Sequence, residues 1–313
     1  MDALRFLPVT ALLLAACGQA PTPDAASSAL DQASLNALAV RPSNKQIAAH
    51  AGDGAARPYG WDENEWENSI QALTKAKAQG VRWIEVDLQL NRHPSAVSAN
   101  SYGILYMHHN RYCKVIDSSG RVTGPTIDIA TADPAQVDRC AERLENVLNS
   151  VGYTGHWMFE MKDDTGYTVD LPKALNALLK KRGQRTTEVI TSLNENMLIT
   201  VRDAAAYDQV KLNLTRVYGA TTKPTNADID RSRGLGFRYV SANVNDWDQS
   251  VVDYAKERQL YTMGWHWELT SPRDGNTRGV NLGVDVMITD DADLTQGRQY
   301  QGCQPGCGRH DHR

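Results

Sequence analysis

Charged side chains stand at alternate positions in two otherwise apolar segments. In Trp83-Ile84-Glu85-Val86-Asp87-Leu88 the pair is Glu85 and Asp87; in Trp157-Met158-Phe159-Glu160-Met161-Lys162 it is Glu160 and Lys162. Residues two apart in a strand share a face, so each segment would present its charges on one side and its apolar residues on the other. Two residues of rise put the first two carboxylates about 6–7 Å apart. A half-exposed strand accounts for either pair alone. In a sheet buried on both faces, paired carboxylates need a cation to offset their desolvation. Glu85, Asp87 and Glu160 make an all-oxygen donor set, which suits one hard divalent cation, Mg²⁺ or Ca²⁺, better than zinc. Lys162 beside them suits an anion or, equally, a salt bridge to Glu160.

Histidines end two further apolar segments. His50 closes Ile47-Ala48-Ala49-His50, and His108-His109-Asn110 follows Ile104 to Met107. A lone histidine at a strand end is usually structural or merely exposed. Two such ends beside a carboxylate-bound cation would supply a general base and a general acid of near-neutral pKa. Phosphodiester cleavage uses that combination, with the cation neutralising charge on the phosphoryl oxygens. Alternation sends His108 and His109 to opposite faces, so only one of them can enter a common site.

These residues must be positioned by a substantial core. The chain has 313 residues, 41% hydrophobic and 22% charged, with a formal charge of −4. Such a composition excludes wholesale disorder and a multi-spanning membrane protein. The slight acidity gives no reason to expect nucleic acid as a partner. Short apolar runs bounded by turn residues recur at Gln46–Ala49, Val81–Leu88, Ile104–Met107, His156–Met161, Val189–Thr191, Lys211–Tyr218, Arg238–Ala242, Tyr261–Trp265 and Val284–Thr289. Between them lie helical stripes: Trp66, Ile70 and Leu73 before Gly80; Ala174, Leu175, Leu178 and Leu179 before Gly183; Val251, Val252 and Ala255. Strand–helix alternation over residues 46–298 predicts an α/β fold, a single-domain TIM-type (β/α)8 barrel. Nine strand candidates exceed eight, so one is an irregular extra or belongs to a loop insertion.

The ends read differently. Residues 1–16 hold Arg5 and an apolar stretch, Phe6 to Ala16, of signal-peptide length and too short to span a bilayer. Leu14-Ala15-Ala16-Cys17 resembles a bacterial lipobox, which makes Cys17 the lipidated first residue and residues 17–45 a flexible tether. An exported, membrane-anchored lipoprotein, periplasmic or facing outward from the cell surface, is the expectation. Export permits disulfides, and the remaining cysteines are Cys113, Cys140, Cys303 and Cys307. Cys113–Cys140 with Cys303–Cys307 is the simplest pairing. Residues 299–313 form a Cys/His-rich tail, where His310 and His312 offer a transition-metal site as the alternative to a bridge.

Taken in order, His50-Ala51-Gly52, Glu67-Asn68-Ser69, Glu85-Val86-Asp87, a histidine closing an apolar strand, and Glu160-Met161-Lys162 resemble the signature of glycerophosphodiester phosphodiesterases. Thr191-Ser192-Leu193-Asn194 with Leu198, and Gly283 to Asp290, are similar to that family's downstream segments. The resemblance implies a TIM-type barrel and a cation held by Glu85, Asp87 and Glu160. It implies a catalytic pair of His50 with His109, or with His108 in its place, and Glu67 and Asn68 bordering the site. The substrate it implies is a small phosphodiester or phospholipid head group.

Several positions depart from the pattern. The family's arginine after the first histidine is Ala51, so phosphate affinity falls to Lys162, Arg92 or the cation. The aspartate after the second histidine is Asn110, the closer polar substitute following His109. Met263-Gly264-Trp265-His266 replaces the usual Trp-Thr, with Trp265 either packed in the core or covering an apolar part of the substrate. Residues 91–102 replace a tight turn, which with Cys113 is similar to the sphingomyelinase D-like branch; a phospholipase C-like activity is a further alternative. A silent surface lipoprotein that binds a phosphorylated or glycan ligand on the same barrel is a reading from another class.

Overall fold

In the computed structural model, the residues described are 46–54, 57–58, 61–99, 101–183, 188–210, 212–219, 222–266, 278–279 and 281–290. Eight parallel strands close into a ring: β1 (Gln46–Ala49), β2 (Trp83–Asn91), β7 (His156–Met161), β8 (Val189–Ser192), β9 (Asn213–Val217), β10 (Tyr239–Asn243), β11 (Tyr261–Trp265) and β12 (Val286–Thr289). This is the expected TIM (β/α)8 barrel. Closure between β1 and β2 rests on two register pairs, Ala48 with Trp83 and Ala49 with Ile84, whereas β2 and β7 pair over six residues.

Alternation along the strands sorts the two sides of the wall. Ala48, Trp83, Met158, Val189, Tyr239, Met263, Val286 and Ile288 pack together inside the ring. Ile84, Val86, Leu88, Phe159, Ile190 and Val240 face outward into the larger core shared with the helices. On the outside run α1 (Glu63–Trp66), α2 (Ile70–Ala78), α3 (Pro94–Ala99), α4 (Pro134–Val137), α5 (Leu144–Ser150), α6 (Asp170–Lys181), α7 (Glu195–Asp208), α8 (Asn226–Gly234) and α9 (Gln249–Glu257). Helix α6 shows the logic: Leu171, Ala174, Leu175, Leu178 and Leu179 form one buried stripe, and full burial of each leucine is worth about 1.5–3 kcal/mol.

The surplus strand is Ile104–Met107. It is β3, antiparallel to β2, and it wedges beside the upper half of that strand rather than joining the ring. Its neighbours were not anticipated: a hairpin of β4 (Tyr112–Ile116) and β5 (Val122–Asp128), and a two-residue β6 (Glu142–Arg143) on the far side of β3. A disulfide between Cys113 and Cys140, whose Cα atoms are 5.7 Å apart, ties the hairpin to the segment before β6, the pairing expected from the sequence. Remodelling of the mouth is therefore larger than residues 91–102, where α3 stands in place of a tight turn. The stripe through Trp66, Ile70 and Leu73 also needs correction, since two helices share it. Asn68 adopts φ 62° between them, and Ser69 caps α2 by accepting the Ala72 N–H at 3.2 Å.

Among the described residues no helix is long and apolar enough to cross a membrane. The expected signal peptide, lipidation site at Cys17 and tether, and Cys303, Cys307 and the rest of the tail, lie outside the described residues.

Candidate active site

The polar residues one step above the inner apolar layer gather at the carboxyl ends of the strands, the end at which (β/α)8 barrels build their sites. Glu85 and Asp87, on the inward face of β2, are buried, and Glu160 joins them from β7, where it stands in register with Asp87. One oxygen from each of the three carboxylates lies within 4.8 Å of the others, closer than strand rise alone would bring them. Lys162 Nζ lies 2.7 Å from Asp87 Oδ1 and 2.9 Å from Glu160 Oε1. Counted formally, three carboxylates and one ammonium sum to two minus.

Each carboxylate is held by the backbone or by a neighbour. Glu85 Oε2 accepts the Ala51 N–H at 2.9 Å, while Glu85 Oε1 is buried with no hydrogen-bond partner. Asn68 clasps Asp87 twice: its amide donates to Asp87 Oδ2 at 2.9 Å, and its carbonyl oxygen accepts the Asp87 N–H at 2.8 Å. Burial, then the charge of Asp87, pushes the Glu85 carboxyl well above its usual range. Burial acts the same way on Asp87 but is outweighed by Lys162, His109 and His50, which hold it well below. Burial opposes the charge on Lys162, yet Asp87, Glu160 and Glu85 keep its ammonium protonated far above neutrality.

Beside this cluster is a second one. His50, at the end of β1, makes a 2.6 Å hydrogen bond from Nδ1 to Asp290 Oδ1 at the end of β12, and Glu67 completes a group whose ligand atoms lie within 4.8 Å of one another. Enclosure disfavours the imidazolium, but Asp290, Glu85 and Glu67 outweigh it and raise the His50 pKa well above the ordinary value. Burial, opposed by the charge of His50 and reinforced by Asp87 and Asp290, pushes the Glu67 carboxyl up to about 7. Two non-glycine residues here have left-handed backbone, Ala51 at φ 46° and Asn68 at φ 62°. Such conformations persist where the surroundings over-determine them. Here the Ala51 carbonyl accepts the Asn68 N–H at 2.8 Å, so each residue holds the other.

The two adjacent histidines part company. His109 is half-buried, its Nδ1 lies 3.2 Å from Asn110 Oδ1, and its charge acts on Asp87. The His108 ring is buried and directed toward Glu65, with Nε2 at 3.6 Å from Glu65 Oε2. Arg92 does not serve as a free phosphate ligand: its guanidinium is paired with Asp170 and lies over the Tyr167 ring. Trp265 is half-buried against the inner apolar layer. Asp290 escaped the sequence reading, although it ends the Gly283-to-Asp290 segment. Its signal was its place one alternation step beyond Ile288, on the same inward face.

The donor set fits a hard divalent cation. All donors are carboxylate oxygens, their formal charge with Lys162 is two minus, and Glu85 Oε1 is buried and unmatched, which is costly without a partner. No protein-family model and no curated protein matches the chain. Solved structures do. An Oleispira antarctica phosphodiesterase, in complex with the product sn-glycerol-3-phosphate, superposes with a TM-score of 0.62 at 18% identity, over 80% of this chain and 95% of its own. The chain shares its fold. A glycerophosphodiester phosphodiesterase from Thermotoga maritima gives 0.57 at 15% identity, over 81% and 97% of the two chains. One from Parabacteroides distasonis gives 0.55 at 17%, over 80% and 94%.

Proposed function

We propose that the protein is a metal-dependent phosphodiesterase that hydrolyses glycerophosphodiesters or related phospholipid head groups. The observation that carries this reading is the convergence of Glu85, Asp87 and Glu160 beside the His50–Asp290 pair at one mouth of the barrel. A divalent cation, Mg²⁺ or Ca²⁺, would be held by those three carboxylates and would neutralise charge building on the phosphoryl oxygens.

The chain's own groups divide the remaining work. Asp290 accepts a hydrogen bond from His50 Nδ1–H, which leaves Nε2 as the atom that takes a proton from the attacking oxygen. His109, steadied by Asn110, returns a proton to the leaving oxygen. Lys162 fixes Asp87 and Glu160 and limits their mutual repulsion. Asn68 orients Asp87 from behind. With Ala51 at the position where the resembling family carries arginine, the protein offers no guanidinium there to grip phosphate. Export and anchoring through Cys17, supported by the amino-terminal sequence, would place this activity outside the cytoplasm at a membrane.

The test is turnover. Purified protein is incubated with glycerophosphocholine and with bis(p-nitrophenyl) phosphate, in EDTA and after addition of Mg²⁺ or Ca²⁺. Hydrolysis that is lost in EDTA and restored by the metal is expected. Absence of turnover under every metal condition would replace the enzyme with a ligand-binding barrel.

A further inference from the structure

We propose that Gln89 is a positioning residue for His109, fixing the backbone that carries this histidine above the carboxylate cluster; the inference rests on the role given to His109 under the proposed function. Glu85, Asp87, Gln89 and Asn91 are alternate residues of β2 and share its inward face. Glu85 and Asp87 belong to the carboxylate cluster. Gln89 stands one step above them, fully buried and opposite Tyr106 of β3. His109 lies on the bend that follows β3, so no ladder of strand hydrogen bonds sets its position. Gln89 reaches it instead: Nε2 donates to the His109 carbonyl oxygen at 3.1 Å. A backbone carbonyl only accepts, so the carboxamide must turn its nitrogen that way and its orientation is fixed. Oε1 is left buried with no hydrogen-bond partner.

The next inward residue shows what a purely structural amide does here. Asn91 spends its whole side chain on the fold: Nδ2 donates to the Ile129 and Ala132 carbonyl oxygens at 2.6 and 2.8 Å, and Oδ1 accepts the His93 N–H at 3.1 Å. Gln89 spends its donor on the backbone of His109 and leaves its acceptor unmatched. A buried carbonyl oxygen without a donor is costly. Methionine would fill the same length of space without that cost, and the carbonyl of half-buried His109 could turn to water. Stability alone therefore does not call for glutamine at this position. Placement does. Asn110 steers the His109 ring through the 3.2 Å contact of its Oδ1 with Nδ1, while Gln89 holds the main chain of the same residue. A misplacement of about 1 Å at a reacting group can cost on the order of 10²-fold in rate.

The test compares two leaving groups. An alkoxide needs a proton as it departs, whereas p-nitrophenolate leaves without one at neutral pH, so a group that places the proton donor matters for the first and hardly for the second. In Gln89→Met, kcat for glycerophosphocholine is expected to fall roughly 10- to 100-fold. For bis(p-nitrophenyl) phosphate it should change by no more than about threefold. KM for both substrates and the calorimetric affinity for Mg²⁺ and Ca²⁺ should stay near wild type. His109→Ala should show the same split, and adding Gln89→Met to it should lower glycerophosphocholine turnover no further, because the amide acts through that residue. Gln89→Asn, whose amide is one methylene too short, should repeat the split and carries the test if the methionine variant does not fold. Equal losses on the two substrates, a weakened metal site, or additive losses in the double variant would overturn the proposal. A split in His109→Ala that is absent from both Gln89 variants would overturn it alone and leave the phosphodiesterase standing. No split in His109→Ala would remove the role of His109, and this proposal with it.

Discussion

Asn68 permits a sharp test of how the carboxylate cluster is held. Its side chain makes two buried hydrogen bonds to Asp87, at 2.9 and 2.8 Å, and its backbone sits at φ 62°. The bond to the ionised carboxylate is worth about 1.5–3 kcal/mol and the one from the backbone N–H about 1 kcal/mol. Asn68→Gly keeps the backbone at ease and should lose roughly 2–4 kcal/mol of stability. Asn68→Ala loses the same bonds and adds a left-handed alanine, for about 1–2 kcal/mol more. Urea denaturation of the wild type and both variants in EDTA reads these differences directly. Because Asn68 orients a ligand carboxylate from behind, metal affinity by calorimetry should fall about 10- to 100-fold in both variants. The reasoning fails if alanine and glycine are equally damaging, since the backbone contribution would then be absent. It fails also if either variant keeps wild-type metal affinity.

Other consequences are open to measurement. Asp290→Asn keeps an acceptor for His50 but removes the charge, so turnover should fall roughly 10- to 100-fold, the loss of about 1.5–3 kcal/mol from a charged hydrogen bond, while calorimetric metal affinity stays near wild type; unchanged turnover would remove Asp290 from the mechanism. The Cys113–Cys140 bridge closes a separation of 27 residues, and breaking it with Cys113→Ser/Cys140→Ser should cost about 2–4 kcal/mol, visible as a lower melting temperature that reductant reproduces in the wild type. The Arg111 fork on Asp128, with contacts of 2.9 and 2.7 Å, holds that carboxyl below its usual range against the effect of burial. A depressed folded pKa means stability that is present above the unfolded value of about 3.9 and is lost as pH falls through the folded one. Asp128→Asn should therefore be less stable than wild type at pH 6, with the gap narrowing as pH falls below about 4; a gap that does not narrow there would contradict the assignment.

The ring and its inward carboxylates were legible because two-residue alternation is enforced by burial on both sides of the wall. Glu85, Asp87, Glu160 and Lys162 could be placed together before any coordinates were known. What escaped depends on long-range pairing or on local backbone without an apolar signature. Asp290 meets His50 across 240 residues, and Arg92 is taken up by Asp170 across 78. The hairpin strand Val122–Asp128 carries Gly124 and Pro125 and is largely exposed, so neither periodicity nor propensity marks it. The break at Asn68 is invisible to helical periodicity, because Trp66, Ile70 and Leu73 remain on a common stripe across it. That break brings the Asn68 amide onto Asp87.

The short seam between β1 and β2 gives the site a second office. Among the described residues two register pairs join those strands, and above them the crossing is made by the Ala51 N–H on Glu85 and by Asn68, whose N–H bonds the Ala51 carbonyl and whose amide bonds Asp87. The acidic groups that would grip an ion are thus also the rivets of the barrel's thinnest joint. Loading the ion and tightening the hoop would be one event, and amide exchange along β1 should slow when the ion arrives.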